Sequence, residues 1–552
     1  MQGDMFYTYA LPLITSVLLT LLVMPAVVRL AQRLGAVDQP NERKVHAIAT
    51  PRMGGVAFFI SLLLIPFTML DINQATQGFL LGLFIVGMTG FADDIFDISP
   101  KLKFLGIFIG TGIFLVMSGT AVTNLGDLFG TGNIETGWLA IPFTLIAMAG
   151  FINALNLSDG LDGLAAGITL IVSLFLGIFA ATIGDQICQM IAIVLFGSMI
   201  GFLYFNAHPA KVFMGDTGSL ILGFVLAALC LMLLKSGEGV VVSPISMGIL
   251  LGLPLSDTIY VMIRRVMRGK SPFLPDKTHF HHRLIDLGFS HTGVVTLFYG
   301  LIFFYACVAA FYSGSAEWVQ SLVLFALIAG TYLTLSLLER AHCSFAIAAD
   351  EDISDTADTQ HTSMYYKMTH ALGISIPVVT WLIPLLLLLP VVMIERSDTT
   401  ALFMAAIVVM VILLYPWRET RDATWSQGLI YLLIFALLFV INMAEQAWLQ
   451  NYMFVMTALL ASWVILKLWF KRHMRVFLTT GLESLLLIFS SVTPWLIGRF
   501  NLFPIDMQAS LYVVCAEAVI FLIATKIVLR RQPRRNRQLL ISLLVLAGIS
   551  LF

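Results

Sequence analysis

The chain has 552 residues, 59% of them hydrophobic and 11% charged, with a mean hydropathy of +0.93. A soluble domain carries roughly 25% charged residues, and here apolar runs of the ~20 residues needed to cross a bilayer recur from end to end. That excludes a soluble enzyme with a single anchor, and a formal net charge of −1 gives no global field to attract nucleic acid. The five cysteines (Cys188, Cys230, Cys307, Cys343, Cys515) are scattered without a CxxC pair, which indicates neither a disulfide framework nor a zinc site.

Leu11 to Leu30 forms the first predicted span. Asp4 is the only charge before it and the positive residues follow it, the reverse of a cleavable signal. Lys and Arg gather in cytoplasmic loops. Arg29, Arg33, Arg43, Lys44 and Arg52 therefore place the next loop in the cytoplasm and the N-terminus outside. Counting spans onward, the loops near 93–103, 156–163, 206–218, 264–292, 339–370, 417–426, 471–476 and 529–538 also fall inside. Lys101, Lys103, Arg264, Arg265, Arg268, Lys270, Lys471, Arg472, Arg475 and the basic run from Arg530 to Arg537 agree with this. The opposite loops carry Asp71, Asp127, Glu135, Asp185, Glu238, Glu317 and one lysine, Lys235.

Four polar clusters interrupt the apolar pattern, all where runs end on the inner face. The first holds Asp93, Asp94 and Asp97; adjacent carboxylates near lipid are costly unless they hold a cation or a proton. In the second, Asn153, Asn156, Asp159 and Asp162 recur every third residue, about one helical turn, among glycines that admit close approach to the backbone. The third, from Asn206 through Lys211 and Phe213 to Asp216 and Ser219, joins an acid, small residues and a helix start, which suits a cation–phosphate pair. His279, His281, His282 and Arg283 form the fourth, where imidazoles beside a guanidinium suit a diphosphate. Taken singly these are solvated loop acids, helix caps, turns and topology-reporting basic residues. Their gathering on one face points to an active site.

The order, spacing and identity of RKVHAIATPRMGG (43–55), GFADDIFDISPKLKF (90–104), NALNLSDGLDGLAAG (153–167), FNAHPAKVFMGDTGSL (205–220) and HFHHRL (279–284) resemble the polyprenyl-phosphate N-acetylhexosamine-1-phosphate transferase family, over about residues 1–340. The resemblance implies an all-α bundle of about eleven transmembrane helices with a cytoplasmic cleft, in the bacterial inner membrane. It implies transfer of an N-acetylhexosamine 1-phosphate, GlcNAc-1-phosphate foremost, from a UDP-sugar to undecaprenyl phosphate with release of UMP, starting a lipid-linked surface glycan. It implies Mg2+, with Mn2+ as an alternative. Asp216 then resembles the direct metal ligand, and Asp93 with Asp94 the acidic pair beside the metal and the lipid phosphate. Asn156, Asp159 and Asp162 resemble the catalytic-cleft polar set, Asp162 among the catalytic groups. Phe213 resembles the ring that stacks on uracil, and Asn206 and Lys44 resemble substrate-binding residues. His279, His281, His282 and Arg283 resemble the motif that handles the diphosphate and sugar, with His282 catalytic. His-x-His-His-Arg departs from the run of three histidines of the branch using a peptide-bearing sugar. Direct attack by the lipid phosphate is the favoured route, with a covalent aspartyl-phosphate route beside it. The competing function is a lipid-sugar transporter, in which charges would sit near the bilayer midplane on broken helices.

The acidic stretch at 341–366 reads as a cytoplasmic linker. Beyond it, spans near 372–393, 400–416, 427–444, 452–470, 477–497 and 507–528 and a short final run, Leu539 to Phe552, make a second unit of about six or seven helices. Glu483 and Glu517 lie inside its apolar runs, as functional groups or as helix-packing ones. Two roles stand side by side for this unit, a scaffold for downstream glycosyltransferases and a homodimerisation module.

Overall fold

The computed structural model describes residues 9–38, 49–237, 242–269, 278–341, 363–393, 423–443, 447–470, 505–531 and 536–549, with scattered positions between 404 and 500. Among the described residues the secondary structure is helical apart from a two-residue antiparallel ladder, β1 (Val37–Asp38) with β2 (Thr50–Pro51), in which Val37 faces Pro51 and Asp38 faces Thr50, and an isolated bridge between Asn124 and Glu135. The chain divides into two compact units, one spanning essentially 7–349 and the other 350–552.

In the first unit the helices are α1 (Leu11–Leu34), α2 (Gly55–Met69), α3 (Gln74–Phe96), α4 (Pro100–Ser118), α5 (Ala140–Ser158), α6 (Leu164–Ile183), α7 (Gln186–Asn206) and α8 (Gly215–Ser236). They are followed by α9 (Pro244–Leu250), α10 (Gly252–Met267), α11 (Phe280–Asp286), α12 (His291–Tyr312) and α13 (Glu317–Arg340). Among the described residues, eleven helices of the whole chain are long and apolar enough to cross a membrane, nine of them in this unit. The short apolar α2, and the pair α9–α10, bent by 79°, complete the bundle of about eleven that the sequence leads one to expect.

Helix ends follow from local chemistry. Asn73 caps α3 by accepting from the Thr76 N–H at 2.9 Å, Ser99 precedes Pro100 at the first position of α4, and Asp185 caps α7 through the Cys188 N–H at 2.9 Å. Gly35, Gly119 and Gly184 end their helices in the left-handed conformation. Because α3–α4, α5–α6 and α7–α8 are joined by short connections, each pair runs antiparallel and the polar connections gather at one end of the bundle. The α8 helix is the central pillar, buried from Thr217 to Leu233 and packed against α3, α5, α2 and α6. Two glycines set its neighbours' distance. A Cβ on Gly90 would lie 2.5 Å from Thr217 Cα, and one on Gly55 would overlap the Gly218 backbone, so α3 and α2 both reach the start of α8.

The second unit contains α14 (Ser363–Met393), α15 (Ala423–Met443), α16 (Ala447–Phe470), α17 (Ile505–Arg531) and α18 (Asn536–Ile549). These five account for most of the additional helices expected; the segments expected at 400–416 and 477–497 lie largely outside the described residues, as does Glu483. Glu517 on α17 is buried and accepts from Asn442 Nδ2 on α15 at 2.8 Å and from Thr457 Oγ1 on α16 at 3.4 Å. Of its two readings, this geometry supports helix packing: one carboxyl group ties three helices by hydrogen bonds, the expected glue where apolar contact gives no preference over lipid.

Candidate functional site

The connection ends bring the first three polar clusters into one network. Asp94, 2% exposed on the last turn of α3, accepts the Asp216 N–H at 2.7 Å on Oδ1, and on Oδ2 the Thr217 N–H at 2.9 Å and hydroxyl at 2.5 Å. It thereby satisfies the first orphan donors of α8 and sets an anion at the positive end of that helix. The resemblance gave Asp94 to the lipid phosphate; in the structure both its oxygens are already used in holding α8 against α3.

Asp93 and Asp216 are arranged differently. Lys103 Nζ lies 3.0 Å from Asp93 Oδ2 and 2.5 Å from Asp216 Oδ1, so one ammonium bridges two carboxylates brought from α3 and α8 by α4. Asn156 Nδ2 donates to the same Asp216 oxygen at 2.7 Å and to Ser219 Oγ at 2.6 Å. Two carboxylates converging on one cationic point are what a hard divalent ion needs, since Mg2+ takes one or two carboxylates and leaves its remaining positions to phosphate and water. Mn2+ accepts the same oxygen donors. Arg52 rims this network, its Nη2 3.1 Å from the Asp94 carbonyl and 3.0 Å from Asp97 Oδ1.

A second group adjoins it. Asp162 Oδ2 accepts the Ala210 N–H at 3.1 Å and lies 2.7 Å from His208 Nδ1, while the Asp162 N–H donates to His291 Nε2 at 3.2 Å. Asp162, His208 and His291 offer three donor atoms within 4.8 Å of one another. The imidazoles of His208 and His291 are stacked, 4.1 Å apart and 22° from parallel. In-plane lone pairs of stacked rings run side by side instead of converging, so the geometry favours a hydrogen-bonded stack over chelation. Asn206 closes the group: its Oδ1 accepts the Gly163 N–H at 3.0 Å and its Nδ2 donates to the Val212 carbonyl at 2.9 Å. It ties the Asp159–Asp162 loop to the segment before α8 that carries Phe213. Half-buried Phe213 is held by backbone bonds to Pro51 and Gly54.

Asp159 keeps some surface exposure but is enclosed by protein, and that burial, with the charges of Asp216, Asp162 and Asp94, pushes its carboxyl up to about 7. A group whose folded value lies above its unfolded one, ordinarily near ~4, binds its proton more tightly when folded. Its stabilisation is complete below about pH 4 and is lost as pH rises through about 7. Asp159→Asn, frozen in the neutral form, should therefore match the native protein in thermal midpoint at about pH 3 and exceed it by a margin that grows as pH rises from about 4 to about 7. An offset equal at both ends of that range would refute the burial argument.

The histidine cluster forms the third wall. His281 is 2% exposed, and burial, with His282 and His279 as further causes, holds its ring at about 3, so it serves as a neutral imidazole. Its Nε2 has no hydrogen-bond partner and packs against Gly160, between Asp159 and Asp162. The His281 and His282 rings lie 4.2 Å apart. Arg283, expected to face a diphosphate, instead makes a two-pronged pair with Glu339, Nε and Nη2 each 2.7 Å from a carboxylate oxygen, with Tyr260 below its plane. The remaining Nη1 is buried without a partner. Lys44 lies outside the described residues.

Against known sequences, residues 76–234 match the family model described as Glycosyl transferase family 4. The chain is 38% identical over 318 residues to a probable undecaprenyl-phosphate N-acetylglucosaminyl 1-phosphate transferase of Bacillus subtilis, a match covering 57% of this chain and 88% of that protein. The chain belongs to glycosyl transferase family 4. Other family 4 relatives are a decaprenyl-phosphate N-acetylglucosaminephosphotransferase of Mycobacterium leprae (34% identity; 54% of this chain, 83% of the relative) and the undecaprenyl-phosphate alpha-N-acetylglucosaminyl 1-phosphate transferase of Escherichia coli K12 (30%; 58% and 89%). Family 4 membership makes the chain a membrane-embedded transferase and sets aside the transporter reading. Lys103, His208, His291 and Glu339 of the network are absent from the residues that the sequence singles out as site groups.

Proposed function

We propose that the protein transfers an N-acetylhexosamine 1-phosphate, GlcNAc-1-phosphate foremost, from a UDP-sugar to undecaprenyl phosphate at the cytoplasmic face of the bacterial inner membrane, releasing UMP. The observation that carries this is the junction of Asp93, Lys103 and Asp216 at the start of α8, a cation-holding point at the polar end of a membrane bundle. The relatives named above are named for GlcNAc phosphate transfer to polyprenyl phosphates.

The acceptor, a phosphomonoester with a second pKa near ~6, is largely a dianion at neutral pH and needs little deprotonation. The obstacle is bringing two anions together. Asp93 and Asp216 would hold magnesium, or manganese, which supplies charge neutralisation at the diphosphate. Lys103, placed between the same carboxylates, contributes a second positive charge at the junction and keeps both side chains oriented. Asn156 holds the Asp216 oxygen that faces Lys103, and Asp94 fixes the helix start on which Asp216 rides. Asp162 orients His208, and Asn206 holds the loop segment that carries Phe213. Direct in-line attack by the lipid phosphate needs no protein nucleophile, and Asp94, whose oxygens are engaged, is poorly placed to be one.

Purified full-length protein with undecaprenyl phosphate and Mg2+ should release UMP from UDP-GlcNAc among a panel of UDP-sugars; release from none would overturn the reading. In the same assay Phe213→Ala should raise the KM for the UDP-sugar about ten-fold or more, since stacking a base on an aromatic ring is worth roughly 1–3 kcal/mol. The KM for the lipid should stay unchanged, and an equal effect on both would reduce Phe213 to packing.

Among the described residues, the site contacts named above are all made within the first unit. A chain truncated within 345–365 keeps Glu339 and its pair with Arg283, and is expected to insert and to release UMP at the full-length rate per molecule. A well-inserted but inactive truncation would make the second unit part of the catalytic machine.

A further inference from the structure

Asp257 lies on α10, in the apolar second half of the bent helix pair, and is 4% exposed. An acid buried at such a place is costly unless its oxygens are satisfied. They are, by three donors on other elements. Oδ1 accepts the Phe280 N–H at 2.9 Å and is approached by the Tyr332 hydroxyl at 3.4 Å; Oδ2 lies 2.9 Å from His279 Nδ1. The carboxylate thus caps the first turn of α11 and at the same time grips the ring of the residue preceding it. His279 is itself 5% exposed, and its ring lies 5.9 Å from that of His281, within 11° of parallel. His281 in turn packs against Gly160 in the loop of Asp159 and Asp162.

A carboxylate on Nδ1 can only accept, so it selects the ring form with hydrogen on that nitrogen and leaves Nε2 at the opposite edge as the working atom. It also removes the ring's freedom to rotate. The same arrangement is what makes an imidazole useful in a Ser-His-Asp triad, where the acid acts through the histidine without touching the substrate.

We propose that Asp257 is a positioning residue for the transfer reaction: through Nδ1 it fixes the orientation and tautomer of His279, so that the Nε2 lone pair is presented to the donor sugar as a hydrogen-bond acceptor. This rests on the proposed function for the role of His279, while the Asp257–His279 coupling stands on geometry alone. A purely structural role for Asp257, as the cap of α11, makes a different forecast, because asparagine can still cap.

Asp257→Asn separates the two. Its oxygen can keep the Phe280 N–H, but its amide presents hydrogens to Nδ1, which must then accept, and the ring proton moves to Nε2. The full-length variant should keep its thermal midpoint and its KM for the UDP-sugar, and lose about 10–100-fold in kcat, the usual cost of removing a supporting partner of a functional histidine. Adding His279→Ala should cost nothing further. Nitrogen-15 solid-state NMR of histidine-labelled full-length protein should show His279 protonated at Nδ1 in the native chain and at Nε2 in the variant, a readout that requires no turnover. His279→Asn guards against a folding failure: its amide can still donate to Asp257 but has nothing in place of Nε2, so it should fold and be as slow as His279→Ala. Full activity in Asp257→Asn or His279→Asn, additive losses, or an unchanged ring tautomer would overturn the proposal. A native enzyme that turns over no UDP-sugar but shows the tautomer switch would sink the proposed function and leave the positioning pair standing.

Discussion

Asp216→Asn should reduce transfer by about 10²–10³-fold, the range seen when one electrostatic contact to the reacting group is removed, while the protein inserts and folds normally. The amide oxygen can still accept from Lys103 and Asn156, so the local hydrogen bonds survive. What is lost is the negative charge that, with Asp93, makes the junction a cation-holding point. An amide is a weak ligand for Mg2+ where a carboxylate is a strong one. UMP release measured across a magnesium titration, with the thermal midpoint recorded alongside, checks both halves. Full activity at saturating magnesium would remove Asp216 from the metal assignment.

Asp94→Asn should behave in the opposite way, damaging the fold first. Three donors aim at its two oxygens, and the residue is almost wholly buried. An amide supplies one oxygen and turns two hydrogens toward N–H groups, so at least one charge-assisted bond becomes a clash. Losing such bonds costs roughly 1.5–3 kcal/mol each, and the helix start loses its counter-charge. The variant should therefore show a lowered thermal midpoint together with lost activity, whereas Asp216→Asn loses activity alone. An Asp94→Asn protein as stable as the native one, yet inactive, would return Asp94 to the reacting groups.

The contrast between these neighbours shows what was legible in the sequence and what was not. Spans were legible because the bilayer demands a length and a composition that few other causes produce, and the polar ends were legible because charges near lipid are expensive. Asp93 and Asp94 read as an equivalent pair, since sequence gives adjacency and not direction; on a helix, neighbours point about 100° apart, and here one faces the α8 start and the other the lysine. Lys103 read only as a marker of the cytoplasmic side, because a lysine near a helix start looks the same whether it reaches for solvent or for an acid 113 residues away. Asp257 carried a usable signal, an acid within an apolar run. Its partner, His279, lies within the basic loop that follows, 22 residues on, and spacing gives no hint of that pairing. Arg283 suited a diphosphate by chemistry alone; only the fold reveals that Glu339 has taken two of its donors.

That last pairing also bears on how such a chain came to have its present length. Glu339 stands on the closing turn of α13, just before the joint to the second unit, and fastens that helix back onto the histidine segment. The catalytic module is therefore sealed at its own end. Among the described residues, every cleft contact named above is made by residues up to Glu339, so none of them depends on a residue past that joint. The relatives fit such a history, for this chain covers 88% of the Bacillus subtilis protein with only 57% of its own residues. If the truncated chain proves active, the added helices are free to acquire a task of their own at whatever pace selection sets.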